Sequence, residues 1–244
     1  MNIGARANCV TNLCAAAVGR TASWTATFLF VMGLAWFSIA QADAAEGPIH
    51  IVALGDSLVA GYGLRASEAF PAVLQRALVA KGIAVEIANA GVSGDTASGG
   101  LARLDWSVPE GTEGVILELG ANDALRGFDP DITRKALDTI LQRLKARKIP
   151  ILLTGMLAPR NLGPDYARVF DAIYPDLAMQ YGTILYPFFL TGVAANPKLN
   201  QPDGLHPTTE GVGVIVNAIL PKVEELLAEI ARNKATPGRA GATP

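Results

Sequence analysis

The 244-residue chain is short of cysteine, histidine and charge, and each shortage removes a class of chemistry. Its two cysteines, Cys9 and Cys14, both lie in the first 45 residues, in no small-residue context that suggests lipid attachment. Disulfides, cysteine catalysis and thiolate metal sites are thereby excluded from the rest of the chain. The only histidines are His50 and His206, so a reaction needing an imidazole has two addresses. No P-loop, H-E-x-x-H zinc motif or G-x-S-x-G elbow occurs. Charged residues make up 17% with a formal net charge of -2, and no basic cluster offers a footprint for nucleic acid. What remains is 50% hydrophobic, the composition of one globular domain with a sizeable core.

Residues 1–45 read apart from that domain. Arg6 and Arg20 precede an acid-free apolar stretch from Thr27 to Ala40, and small residues follow in A-x-A arrangements at Ala40-Gln41-Ala42 and Ala42-Asp43-Ala44. This is the pattern of a signal peptide cleaved near residues 42–45, which places the domain in the periplasm or outside the cell. The rival reading is an uncleaved anchor, because no charge lies between Arg20 and Asp43. At the other end, the Gly/Pro/Ala-rich residues 233–244 read as a disordered tail, leaving 46–232 as the domain.

Within the domain short apolar runs alternate with amphipathic stretches. Strands are expected over Ile49–Leu54, Ile83–Ala88, Gly114–Leu119, Ile149–Thr154 and Thr183–Tyr186. Helices are expected near Ser67–Ala80, Thr96–Leu104, Pro130–Lys148, Pro164–Tyr181 and Pro207–Ile230. Asp129 can cap the Pro130 helix, along which Ile132, Ala136, Leu137, Ile140, Leu141 and Leu144 recur at helical spacing. Five strands each followed by a helix imply an α/β fold, a parallel sheet with helices on both faces. Such folds carry their chemistry on the loops leaving the strand carboxyl ends.

Those loops hold every strong polar cluster of the domain. Gly55-Asp56-Ser57-Leu58 follows the first strand, and the glycine-rich run from Asn89 to Thr96 follows the second. Gly120-Ala121-Asn122-Asp123 follows the third, and Asp203-Gly204-Leu205-His206-Pro207 precedes the last helix. A serine nucleophile needs a base, and His50 sits at the wrong end of the first strand. His206, with Asp203 three residues earlier to hold one ring nitrogen, is the remaining partner for Ser57. Oxyanion donors are then the Ser57 N–H, the Gly94 N–H and the Asn122 amide. Asp56 and Asp95 read as support for loop backbone, and Tyr174, Phe188 and Phe189 as core. Gly61-Tyr62-Gly63-Leu64-Arg65-Ala66 fits a dinucleotide fingerprint but does not directly follow a strand.

Taken singly, a Gly-Asp-Ser turn, an Asn-Asp cap and an Asp-Gly turn are ordinary, and their joint placement is what argues for catalysis. The four blocks, in this order, resemble those of the SGNH or GDSL hydrolases from about Ile49 to Ile230. Further stretches, among them Ser57-Leu58-Val59-Ala60-Gly61-Tyr62-Gly63 and Leu101-Ala102-Arg103-Leu104, are similar to the secreted bacterial thioesterase I, lysophospholipase and arylesterase branch. The resemblance implies a flavodoxin-like three-layer sandwich with strand order 2-1-3-4-5. It also implies cofactor-free and metal-free hydrolysis of acyl esters and thioesters, with a loop here spanning Asp123–Asp129 shaping the acyl site. The expected partner is a small acyl ester or thioester, with a lipid substrate at a membrane surface also in range and a monomer as the default state. Gly99-Gly100 departs from the more polar pair of that branch. The competing readings are a carbohydrate O-acetylesterase of the same fold and a non-catalytic lipid or glycan binder.

Overall fold

A computed structural model describes residues 47–235. The expected leader and the tail beyond Ala235 lie outside the described residues. The chain begins with β1 (Ile49–Gly55), a one-turn α1 (Ser57–Ala60), a 3-10 turn (Ala66–Glu68), α2 (Phe70–Ala80) and β2 (Val85–Gly91). It continues with α3 (Ala97–Ala102), α4 (Leu104–Ser107), β3 (Gly114–Glu118), α5 (Ala121–Leu125), α6 (Pro130–Ala146) and β4 (Ile151–Thr154). A second 3-10 turn (Arg160–Leu162), α7 (Pro164–Asp171), α8 (Ile173–Tyr181), β5 (Ile184–Tyr186) and α9 (Thr209–Ala235) complete it.

The five strands form one parallel sheet in the order β2-β1-β3-β4-β5, as the resemblance implied. Helices cover both faces of such a sheet, so its central strands are apolar on both sides. Val115, Ile116, Leu117, Ile151, Leu152 and Leu153 are accordingly buried without residue. α2 and α9 pack together, while α3, α6 and α8 form the other helical group, as right-handed crossovers to either side of β1 require. The chain leaves β1 first for β2 and then for β3 on its opposite side. That reversal opens a crevice at the carboxyl end of β1, where open α/β sheets bind ligands.

Local chemistry explains where the expected elements shift. β2 runs on through Asn89, Ala90 and Gly91, because the ladder with β1 continues to Gly55↔Gly91. The helix expected over Pro164–Tyr181 divides at Ala172, since Pro175 has no N–H to bond the Asp171 carbonyl. Asp129 does cap α6, its Oδ1 accepting from Asp131 N at 3.0 Å. Ile132, expected inward, is 48% exposed, and Thr133 is buried in its stead, donating its hydroxyl to Asp123 Oδ1 at 3.0 Å. The other five apolar positions of that stripe are buried as expected. Truncating one of them, Leu137→Ala, costs about 2–5 kcal/mol. α9 extends to Ala235, three residues into the expected tail.

Candidate active site

Ser57 opens α1, where the first-turn N–H groups lack helical acceptors. Asp56 caps that turn, its Oδ1 accepting from Leu58 N at 2.9 Å, so the serine is fixed at the carboxyl end of β1. His206 reaches it from the loop before α9, with Nε2 2.9 Å from Ser57 Oγ. The opposite ring nitrogen, Nδ1, lies 2.6 Å from Asp203 Oδ2. Asp203 Oδ1 also accepts from Leu205 N at 2.9 Å and His206 N at 3.0 Å. These bonds, the His206 ring first, hold the Asp203 carboxyl down to about 2. A hydroxyl in contact with an imidazole that a carboxylate orients is equipped to give up its proton to the ring.

The loop is stapled in place by a residue that no local pattern singled out. Gln201 Nε2 donates to Tyr62 O at 2.7 Å and Pro207 O at 3.0 Å, joining the turn after α1 to the histidine loop. The Tyr62 ring lies over the imidazole at a centroid distance of 4.5 Å.

Gly94 and Asn122 stand on the next two carboxyl-end loops, and Asn122 lines the cavity beside Ser57. Gly94 holds φ +84°, a left-handed conformation that favours glycine, and its carbonyl accepts from Arg126 NH2 at 2.8 Å. Asn122 Nδ2 donates to Asp56 Oδ2 at 3.1 Å and to Asp95 O at 3.0 Å. Both hydrogens of the amide are therefore engaged within the protein. The Gly99-Gly100 pair has a packing reason: a Cβ on Gly99 would collide with the Asp95 carboxylate, and one on Gly100 with Leu119. Asp123, inside the loop expected to shape the acyl site, is instead buried and ties α3 to α6, accepting from Ala97 N at 2.9 Å and from Thr133.

Beneath the serine lies a carboxyl pair of which only one member was anticipated. Asp56 and Glu118 are both fully buried, and Glu118 Oε2 accepts from Asp56 N at 3.2 Å. Glu118 Oε1 meets no hydrogen-bond partner among the described residues. Burial first, then the Asp56 charge, pushes Glu118 well above the glutamate range, so it is the neutral member. Burial also pushes Asp56 up to about 6, against the hydrogen bonds from Leu58, Glu118 and Asn122.

A cavity of about 610 Å³ opens beside Ser57 and His206. Its walls are chiefly apolar, including Leu58, Leu125, Met156, Leu157, Phe188 and Leu190. Phe188 thus faces the site rather than only the core, whereas Phe189 and Tyr174 are buried as expected. Tyr174 donates its hydroxyl to Leu119 O at 2.9 Å. Larger grooves of about 790 and 670 Å³ lie at the amino edge of the sheet, against Thr112. The second is also lined by His50, but the Thr112 hydroxyl donates to Pro109 O at 2.9 Å and His50 Nδ1 lies 3.3 Å from Glu86 Oε2. Among the described residues no group of three or more His, Cys, Asp or Glu could hold a metal, and no helix is long and apolar enough to cross a membrane.

Comparison with known proteins identifies the family. The GDSL-like Lipase/Acylhydrolase family matches residues 53–214. The chain is 38% identical over 205 residues to Thioesterase 1/protease 1/lysophospholipase L1 of Escherichia coli strain K12, covering 84% of this chain and 94% of that one. Among solved structures, AlinE4, an SGNH-hydrolase family esterase, is 50% identical with a TM-score of 0.62, over 74% of this chain and 97% of its own. The psychrotrophic esterase EstA from Pseudoalteromonas sp., in a structure inhibited by monoethylphosphonate, is 30% identical with a TM-score of 0.70, over 74% and 99%. The chain belongs to the GDSL-like, or SGNH, lipase/acylhydrolase family and is an ester or thioester hydrolase.

Proposed function

We propose that Ser57, His206 and Asp203 are the catalytic triad of this hydrolase, with the Ser57 N–H, the Gly94 N–H and the Asn122 amide as its oxyanion hole. The observation that carries the reading is the imidazole held between Ser57 Oγ at 2.9 Å and Asp203 Oδ2 at 2.6 Å. Ser57 Oγ attacks the acyl carbonyl and His206 takes its proton, while the Asp203 carboxylate stabilises the imidazolium. His206 returns the proton to the departing alcohol or thiol. Water, deprotonated by the same ring, then releases the acid from Ser57.

The engaged state of Asn122 suits this role. Its bond to the Asp95 carbonyl is between neutral groups, whereas a bond to the oxyanion is charge-assisted and roughly twice as strong. The exchange is favourable only once negative charge develops, so the amide discriminates the transition state from the ground state.

The apolar cavity favours a substrate with an alkyl or aryl acyl group, of the arylesterase, lysophospholipase or acyl-CoA thioesterase kind, over an acetylated glycan. Leu125, Leu157 and Leu205 of the chamber lining are exposed, carrying its apolar character to the surface, and suit a lipid substrate. The charge and apolar pattern of residues 1–45 supports export to the periplasm or beyond. Hydrolysis of p-nitrophenyl esters from acetate to palmitate, beside Ser57→Ala, tests the reading. Medium or long chains turned over in a serine-dependent way are expected. Activity on acetate alone favours the glycan deacetylase, and undiminished Ser57→Ala activity overturns the mechanism.

A further inference from the structure

Arg103 caps the carboxyl end of α3 and is only 7% exposed, with the exposed Trp106 ring 6.0 Å from its guanidinium carbon. Its Nε donates to Asp95 Oδ2 at 2.6 Å, NH1 to Ala90 O at 2.8 Å and Ser107 Oγ at 3.0 Å, and NH2 to Gly55 O at 2.8 Å. Each main partner stands beside a member of the oxyanion hole. Gly55 immediately precedes Asp56-Ser57 at the end of β1. Ala90 lies at the end of β2, where the chain turns into the loop carrying Gly94. Asp95 follows Gly94, and its own carbonyl is the resting acceptor of Asn122.

One planar guanidinium therefore ties the nucleophile strand to the glycine loop and fixes the carbonyl on which the asparagine rests. A lysine, with a compact ammonium in place of the fork, cannot meet these acceptors in one plane. We infer that Arg103 is a positioning residue of the oxyanion hole, setting the separation of the Ser57 and Gly94 N–H groups and the aim of the Asn122 amide. Arg103 touches no substrate, and the inference rests on the triad and hole proposed above. A guanidinium that only glued α3 to the sheet would need the strand carbonyls of Gly55 and Ala90 but not Asp95, which lies in the glycine loop. Displacements of about 1 Å in such a site lower turnover by roughly 10²-fold, which sets the expected effect.

The test is a double-mutant cycle on the full chain with p-nitrophenyl butyrate as probe, each variant checked for folding by thermal unfolding. Arg103→Lys and Asn122→Ala are made singly and together, and kcat and KM are separated. Arg103→Lys is expected to lower kcat by roughly 10²-fold with KM changed less than about threefold. The double variant should fall little below the worse single, because a hole already misplaced loses little more with its amide. Losses that multiply in full, or an Arg103→Lys kcat within about twofold of wild type, overturn the inference while leaving the triad standing.

If Arg103→Lys does not fold, Asp95→Asn carries the test, since it loosens the guanidinium anchor and keeps the Asp95 carbonyl. It is expected to lower kcat about tenfold, as the ion pair to Arg103 becomes a hydrogen bond to a neutral amide, again without multiplying the Asn122→Ala loss. No loss, or full multiplication, overturns the inference by that route. An Asn122→Ala protein with undiminished kcat overturns the proposed hole itself, and with it the inference, and is distinguished by appearing in the single variant.

Discussion

Asp56 and Asp203 are two aspartates of one site, and their surroundings drive them in opposite directions. Asp203 has a side chain 37% exposed, accepts from two backbone N–H groups and the His206 ring, and is held down to about 2. Asp56 is fully buried against Glu118 and is pushed up to about 6. The difference teaches where this fold keeps charge. The carboxylate that the proposed triad needs ionised is set among donors and water, and a carboxyl that holds backbone and amide shares the core with a neutral acid.

The comparison breaks first at Asp203. Asp203→Asn should lower kcat by roughly 10⁴, because the amide presents the wrong hydrogen-bonding pattern to the imidazole. Its thermal midpoint should hardly move, since the carboxylate is partly exposed. Next is Asn122→Ala, which removes one donor of the proposed oxyanion hole and should cost roughly 10² to 10³ in kcat. Asp56→Asn keeps one oxygen, which serves Leu58 N, and turns an NH2 toward the Asn122 amide in place of the second oxygen, so that amide loses one of its two acceptors and about tenfold in kcat is expected. Steady-state kinetics on one p-nitrophenyl ester ranks all three. An Asp56→Asn loss as large as that of Asp203→Asn would make the buried aspartate the more important charge and undo the distinction.

The smallest expected effect at neutral pH is in Glu118→Gln, where a neutral amide replaces a neutral acid. Its signature is the pH dependence of stability. Asp56 and Glu118 have folded pKa values raised above those of the unfolded chain, so the folded state binds more protons than the unfolded one. Their contribution is fully present below the ordinary carboxylate range and is lost as pH rises through about 6 and beyond. Asp203, lowered, contributes above the ordinary range and loses that contribution only as pH falls toward about 2. Urea midpoints measured from pH 4 to 9 should therefore decline with rising pH in the wild type and decline less in Glu118→Gln. Parallel declines would show that Glu118 carries no retained proton.

Legibility in the sequence followed distance along the chain. The run Ile49–Leu54 ending in Gly55-Asp56-Ser57 read as a strand and a nucleophile turn, because strand and turn chemistry are local. The spacing of Asp203 and His206 is three residues, and with only two histidines the pairing to Ser57 needed little more than placing the loops. Glu118, Arg103 and Gln201 were not singled out for the site. Their partners Asp56, Gly55 and Tyr62 lie 62, 48 and 139 residues away, and no local pattern encodes such contacts. Arg103 stands out in the sequence only within a family-like stretch, and Glu118 falls inside the expected strand Gly114–Leu119, where nothing local pairs its carboxyl with Asp56. Phe188 was read as core because an aromatic near a strand packs inward in most settings, and only the cavity shows that it also faces the site.

The claim that Ser57 is the nucleophile is tested most directly by trapping it. The protein is treated with a p-nitrophenyl alkylphosphonate, which carries a tetrahedral phosphorus and a leaving group, and is then measured by intact mass and peptide mapping. One adduct is predicted, on the peptide carrying Ser57, with stoichiometric release of p-nitrophenol, absent in Ser57→Ala and slowed in Asn122→Ala. An adduct on another residue, or one of equal yield in Ser57→Ala, would contradict the account.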